Sequence, residues 1–241
     1  MLRPMSDPSP AHRPFNPRMH QGGKLSFRTR TQDGDGAPGD RLVVGGKDPP
    51  PLRDLVPAGC NSVEIEIGPG KGAFLCAATA ARTDTFVLGI EAAPGYAAFA
   101  AGRLAASGAR NGLVLVDNGK LYLQDRVPEG ALAAVHVYYP DPWPKRRHSG
   151  RRFFTADVPP ILARALRAGG HCYVATDNPA YGGQICRVLG SAPQFARDEA
   201  AERAAQARGP GHAFSPTNFE RKYAEEGRVL RRYAFVRLPR A

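Results

Sequence analysis

Apolar residues run along this chain in short blocks separated by polar turns. The first well-formed block is Ser62-Val63-Glu64-Ile65-Glu66-Ile67, where apolar and acidic positions alternate with the period of a strand. It feeds Gly68-Pro69-Gly70-Lys71-Gly72 and then Ala73-Phe74-Leu75-Cys76-Ala77-Ala78, a good helix start. Strand, glycine-rich turn and helix open a βαβ unit. A second strand spans 85–90 and ends at Glu91, and an Ala-rich helix follows over 94–107. A third strand, 113–116, meets the turn Asp117-Asn118-Gly119 and a short helical piece near Leu121. After the turn Pro128-Glu129-Gly130 comes the apolar strand 133–139. The pattern then predicts a helix over 157–167, C-capped at Ala168-Gly169-Gly170. A strand over 171–176 ends at Asp177, and a helix follows over 181–189. The polar stretch 197–208 reads as an exposed helix or loop, a charged segment comes after it, and 233–238 is a last strand. Strands alternating with helices indicate an α/β fold, a mostly parallel sheet covered on both faces.

Residues 1–57 show no sustained period and are rich in Pro, Gly and Arg. They read as a basic N-terminal extension, largely flexible, with 25–30 a short ordered piece. Such a tail is either a weak attractor of nucleic acid or a solubilising extension. Residues 58–241 read as one domain.

The chain's organising stretch is 138–148, Tyr-Tyr-Pro-Asp-Pro-Trp-Pro-Lys-Arg-Arg-His. Pro140 cannot donate to a ladder, so the strand ends there. Asp141 and Trp143 each precede a proline and are restricted by it. A carboxylate and the only Trp of the chain are thus displayed at the C-terminal end of a strand, the edge where open α/β sheets bind ligands. Lys145, Arg146, Arg147, Arg151 and Arg152 follow. An acid, a flat aromatic and a dense cationic run suit a site that handles a polyanion.

Composition sharpens this. The net charge over 241 residues is +11, and Arg outnumbers Lys 27 to 6, which favours planar, bidentate phosphate contacts. A basic run can also be only a solvated face. Cys60, Cys76, Cys172 and Cys186 form no CxxC pair and no zinc spacing, so they read as buried small residues in a reducing compartment, with no metal site. No stretch of about 20 apolar residues exists and the N-terminus lacks an apolar signal core. The expectation is a cytoplasmic protein, monomer or homodimer, with no membrane partner.

The glycine turn has G-x-G-x-G spacing, with Glu66 two residues before Gly68. A nicotinamide-dinucleotide turn carries its third glycine one residue later, as G-x-G-x-x-G. The compact spacing is the pattern of class I S-adenosylmethionine methyltransferases, although a tight turn can also be purely structural. Glu91 stands where an acid accepts from both ribose hydroxyls of an adenosine cofactor, or simply favours a helix N-terminus. Asn118 either reads an adenine edge or makes an Asn-Gly turn. Trp143 either stacks on a base or wedges its loop. Lys145 either meets substrate or pairs with an acid.

Glu-Ile-Gly-Pro-Gly-Lys-Gly (66–72), Gly-Ile-Glu (89–91), Pro-Asp-Pro-Trp-Pro-Lys-Arg-Arg-His (140–148), Arg-Arg-Phe (151–153), Ala-Thr-Asp (175–177) and Thr-Asn-Phe-Glu (217–220) occur in the order found in the tRNA (guanine-N7)-methyltransferases, which the chain resembles over about 62–238. The resemblance implies a Rossmann-like class I methyltransferase fold with an antiparallel C-terminal strand, S-adenosylmethionine as cofactor and tRNA as partner, the target being a variable-loop guanine. It implies cofactor contacts from Glu66, Gly68, Gly70, Glu91, Asn118, Gly119 and Asp141, with Asp141 also catalytic. It implies substrate contacts from Lys145, Asp177, Thr217, Asn218, Phe219 and Glu220, and RNA contacts from Arg147, His148, Arg151 and Arg152. Asn118 departs from the Asp of most bacterial members, and Asn218 stands where Lys is frequent. Guanine N7 carries a lone pair and no proton, so Asp141 is expected to position the base rather than abstract a proton. A nicotinamide oxidoreductase and an RNA-binding protein without activity are the rival readings.

Overall fold

The computed structural model describes residues 41–44, 48–207, 212–214, 217, 220, 223 and 225–240. Its strands are β1 (Leu42–Val44), β2 (Ser62–Ile67), β3 (Thr85–Glu91), β4 (Gly112–Val116), β5 (Leu132–Tyr138), β6 (Leu166–Thr176), β7 (Phe195–Arg197) and β8 (Arg231–Arg237). Its helices are α1 (Ala73–Ala81), α2 (Pro94–Ala106), α3 (Gly119–Asp125), α4 (Val158–Ala165), α5 (Pro179–Gly190) and α6 (Glu199–Ala207). One sheet runs in the order β1-β4-β3-β2-β5-β6-β8-β7. Pairing is parallel from β1 to β6; β8 runs antiparallel to both β6 and β7.

The strand order reverses between β2 and β5, with Glu66 opposite His136 and Ile67 opposite Val137. That is the topological switch point, where loops leave the sheet in opposite directions and a crevice opens. The glycine turn and the Pro140–Trp143 loop emerge there side by side.

The period-2 pattern sorts side chains between two cores. Ile65, Leu88 and Val135 share one core with Tyr122 of α3, Leu162 of α4 and Ile185 of α5. Val87 and Val114 share the other with Phe74 of α1 and Ala97 and Leu104 of α2. On this second side β2 carries two acids. Glu64 is ion-paired to Arg82, and its Oε2 lies 2.9 Å from His136 Nε2. Burial alone would raise its pKa, but His136 and Arg82 outweigh that and hold it at about 2. Burial lowers the His136 pKa against the pull of Glu64. A neutral His136 therefore donates from Nε2 to Glu64 and accepts at Nδ1 from the Tyr138 hydroxyl 2.8 Å away. Tyr138 in turn accepts from the Phe214 N–H at 3.0 Å.

Three expectations are corrected. The ordered fold begins before residue 58: β1 pairs with β4, and Leu52 is 2% exposed within the main core. Residues 1–40, including 25–30, and 45–47 lie outside the described residues. The helix expected to run to residue 167 stops at Ala165, and Gly169-Gly170 lie inside β6 rather than at a C-cap. Leu166 already pairs with Leu132, and the register shifts between Leu132 and Ala134. A Cβ on Gly170 would sit 2.9–3.1 Å from the carbonyl oxygens of Arg167, Ala133 and Leu132. The glycines serve a strand irregularity. Only Cys172 of the four cysteines is fully buried. Among the described residues no helix is long and apolar enough to cross a membrane.

If the core reaches upstream as far as Leu52, Leu52→Ala costs about 2–5 kcal/mol. Urea unfolding measures this; a change near zero would return the residue to a loose extension.

Candidate functional site

Three consecutive parallel strands, β2, β3 and β4, end in the glycine turn, Glu91 and Asp117-Asn118. Gly70 (φ 55°) and Gly72 (φ 70°) are left-handed. A Cβ on Gly72 would lie 2.9 Å from Ala100 Cβ, so its bareness lets α1 and α2 close together. Gly70 N–H donates to Glu91 Oε2 at 3.0 Å, and Ala93 N–H donates to Oε1 at 2.9 Å. Glu91 thus fastens the glycine turn to the start of α2. Burial raises its pKa against those amide bonds, and the charge of Asp141 adds to the rise.

Glu66 is 2% exposed, and its Oε2 has no hydrogen-bond partner among the described residues. Burial first and the Glu91 charge second push it up to about 8. A buried, unpartnered carboxyl oxygen beside a glycine turn is a gap in the hydrogen-bond accounting that a polar ligand fills. Asn118 caps α3, its amide oxygen accepting from Lys120 and Leu121 N–H at 3.0 and 3.3 Å. The expected Asn-Gly turn is therefore a helix start. Gly119 leaves room for Ile67, whose Cδ1 would be 2.8 Å from a Cβ there.

The Pro140–Trp143 loop departs from β5 with two strained residues, Tyr139 (φ 51°) and Trp143 (φ 38°). Tyr139 N–H donates to Ala175 O at 2.7 Å, tying the loop's root to β6. Arg152 holds its far end: Nε donates to Pro142 O at 2.7 Å, Nη2 to Trp143 O at 3.0 Å, and Nη1 to Gln184 Oε1. Its guanidinium also lies 5.5 Å from the Tyr181 ring centroid. Arg151 sits 5.0 Å over the Trp143 ring, with His148 edge-on at 5.7 Å. Asp141, Lys145, Arg147 and Arg151 are exposed. Burial raises the pKa of Glu91 and of Tyr223, and the Asp141 charge gives each a smaller upward push. The Asp141 charge is thus felt both at Glu91 and at Tyr223.

Residues 60–232 match the model of a family described as putative methyltransferases. The tRNA (guanine-N(7)-)-methyltransferase of Roseobacter denitrificans is 31% identical over 236 residues, 97% of this chain and 100% of that one. Its namesake from Ruegeria pomeroyi is 35% identical over 175 residues, 72% of each chain. The chain belongs to the tRNA (guanine-N7)-methyltransferase family. Among solved structures, the 16S rRNA methyltransferase KamB superposes with a TM-score of 0.53 at 17% identity, covering 82% of this chain and 99% of that one, which shows a shared methyltransferase fold.

The expected cofactor set, Glu66, Gly68, Gly70, Glu91, Asn118, Gly119 and Asp141, lies at or just after the C-terminal ends of β2, β3, β4 and β5. The substrate set is divided. Asp177 ends β6 and accepts from Arg228 Nη1 at 2.7 Å. Thr217 and Glu220 are buried and turned to internal bonds: Thr217 Oγ1 accepts from Glu220 N–H at 3.0 Å, and Glu220 pairs with Arg232. Asn218 and Phe219 lie outside the described residues. Arg152, expected to contact RNA, also clamps the loop through Pro142 O, Trp143 O and Gln184, a role no local pattern signals. Among the described residues, no group of three or more His, Cys, Asp or Glu could hold a metal ion. Sequence reasoning singled out none of Tyr139, Tyr223 and Arg228, which the structure links to Asp177 by ring contacts and an ion pair. Only the position of Tyr139, one residue before Pro140, offered a signal.

Glu66 sets a pH dependence. Its folded pKa exceeds the unfolded value near 4.5, so the folded state keeps a proton that the unfolded chain releases. That contribution to stability is complete below 4.5 and is lost as pH rises towards about 8. Glu66→Gln should flatten the fall in Tm of the cofactor-free protein across this window and raise Tm at pH 8 by a few degrees, roughly 2–4 °C per kcal/mol. Differential scanning fluorimetry across pH checks it; an unchanged slope would mean that Glu66 is ionised in the fold.

Proposed function

We propose that this chain transfers the methyl group of S-adenosylmethionine to N7 of a guanine in tRNA, the variable-loop guanine being the target to map. One observation carries the reading. The unpartnered Glu66 Oε2, the Glu91-braced glycine turn and the Asp141 loop lie at the strand ends flanking one switch point, and the exposed cations Lys145, Arg147 and Arg151 follow in the chain.

The residues present fit the cofactor. Glu66 and the glycine turn would hold its amino-acid part, Glu91 its ribose hydroxyls, and Asn118 its adenine edge. When bound, the cofactor supplies an electrophilic methyl group on a cationic sulfur. The N7 lone pair forms the new N–C bond as the S–C bond breaks, and the positive charge passes from sulfur to the base. No proton moves, so no general base is needed. This chain's task is placement and charge complementarity. Asp141 stands where a carboxylate holds the base and faces the developing cation. Withdrawing a base from folded RNA costs a few kcal/mol, which phosphate contacts from Arg147 and Arg151 offset.

The decisive experiment incubates the protein with labelled S-adenosylmethionine and unmodified tRNA. N7-methylguanosine at one position is expected. Cofactor binding without product would favour an RNA-binding protein that lacks activity. Asp141 is exposed, so Asp141→Ala should lower the transfer rate at least 100-fold with Tm unchanged; near-normal turnover would remove its role. Reversing Arg147 and Arg151 together to Glu should weaken tRNA binding and reduce the slope of log K against log salt by about 0.9 for each lost phosphate contact. An unchanged slope would make the run a solvated face.

A further inference from the structure

Asp177 ends β6 beside the catalytic loop, and its carboxylate is already engaged. Arg228 Nη1 donates to Asp177 Oδ2 at 2.7 Å, while Nη2 lies 2.7 Å from Glu226 Oε2. The same guanidinium stands 4.3 Å from the centroid of the Tyr223 ring. Tyr223 in turn meets Tyr139 edge-to-face, centroids 5.5 Å apart. The Tyr139 hydroxyl is buried with no hydrogen-bond partner among the described residues.

A guanidinium is a fragment of guanine. In the base, N1, C2 and the 2-amino group present a flat face for stacking and two parallel N–H donors for a carboxylate. An arginine that lies on an aromatic ring and donates to an aspartate makes the contacts a guanine would make. Asp177 is already expected to touch substrate; we propose that Tyr223 beside it is the stacking platform of the substrate guanine, and that Arg228 occupies this seat until the base enters. The proposal rests on the guanine-N7 reading above.

The surroundings favour exchange over permanence. The Arg228 side chain is 46% exposed and Asp177 20%, so their ion pair is wet and its loss is cheap. Arg228 keeps Glu226 as a second partner when it leaves. The seat also has the right neighbours. Tyr223 packs on Tyr139, the residue before Pro140, which places a stacked base next to the Pro140–Trp143 loop. The lone Tyr139 hydroxyl supplies a donor for a carbonyl such as O6. A donor beside a carboxylate matches the acceptor–donor–donor edge of guanine and mismatches that of adenine.

Methylation kinetics on tRNA test this in the full chain, with cofactor affinity measured in parallel by calorimetry. Tyr223→Leu should raise KM for tRNA at least fivefold while the cofactor Kd holds, and Tyr223→Phe should restore KM. Arg228→Ala should lower KM for tRNA severalfold, because the seat stands open. Leu as good as Phe at position 223 would overturn the platform. A raised KM in Arg228→Ala would make Arg228 a substrate ligand or a loop brace and overturn the placeholder. If Tyr223→Leu does not fold, Arg228→Ala decides alone, since its side chain is half exposed. Wild-type protein that binds cofactor yet makes no N7-methylguanosine would sink the functional reading itself. Active wild type with indifferent variants would sink only the seat.

Discussion

The parallel pairing of β2 with β5 is the constraint on which the site depends. It puts Glu66 opposite His136 and brings two loops of unlike character to one edge. The glycine turn is compact, with three glycines in five residues, and Glu91 braces its backbone. The Pro140–Trp143 loop is stiff and displays an acid and an indole. Neither loop makes a methyl-transfer site alone. Side by side at the reversal of strand order, in the proposed function one is the cofactor cradle and the other a wall facing substrate.

Three glutamates on one side of this sheet show how environment assigns roles. Glu64 has Arg82 and His136 as partners and stays ionised; it is a structural charge that fixes the tautomer of His136 and, through Tyr138, the backbone of Phe214. Glu66, two residues on, is as deeply buried but has an empty oxygen, and burial holds it neutral near pH 7. Glu91 lies between these cases, satisfied by two backbone N–H groups and half-buried. Identical side chains on neighbouring strands thus serve as brace, latent ligand and hinge pin. The differences arise from partners contributed by other strands, helices and loops.

That origin explains what the sequence could and could not reveal. β2, the glycine turn and the proline loop were legible because their rules are local: alternation, G-x-G-x-G spacing and the lost N–H of Pro140. The family resemblance, carried by 140–148, added the cofactor and substrate class. Gly169-Gly170 were misread because a helix C-cap and a strand irregularity use the same residue type. Only the pairing of Leu166 with Leu132 separates them. Arg152 counted as one more cation until its carbonyl partners at Pro142 and Trp143 were known. Arg228 was unreadable for the same reason on a larger scale, since Asp177 lies 51 residues away.

The loop from Tyr139 to Trp143 holds strain as well as charge. Tyr139 and Trp143 both sit at positive φ, where a side chain costs of order 1–3 kcal/mol. Such a loop persists only if its surroundings over-determine it. The Tyr139 N–H bond to Ala175 fixes one end, and the Arg152 fork fixes the other through two main-chain carbonyls and Gln184. A lysine in place of Arg152 would keep the charge and lose the fork. The Arg152 guanidinium is therefore the strut that holds the loop carrying Asp141.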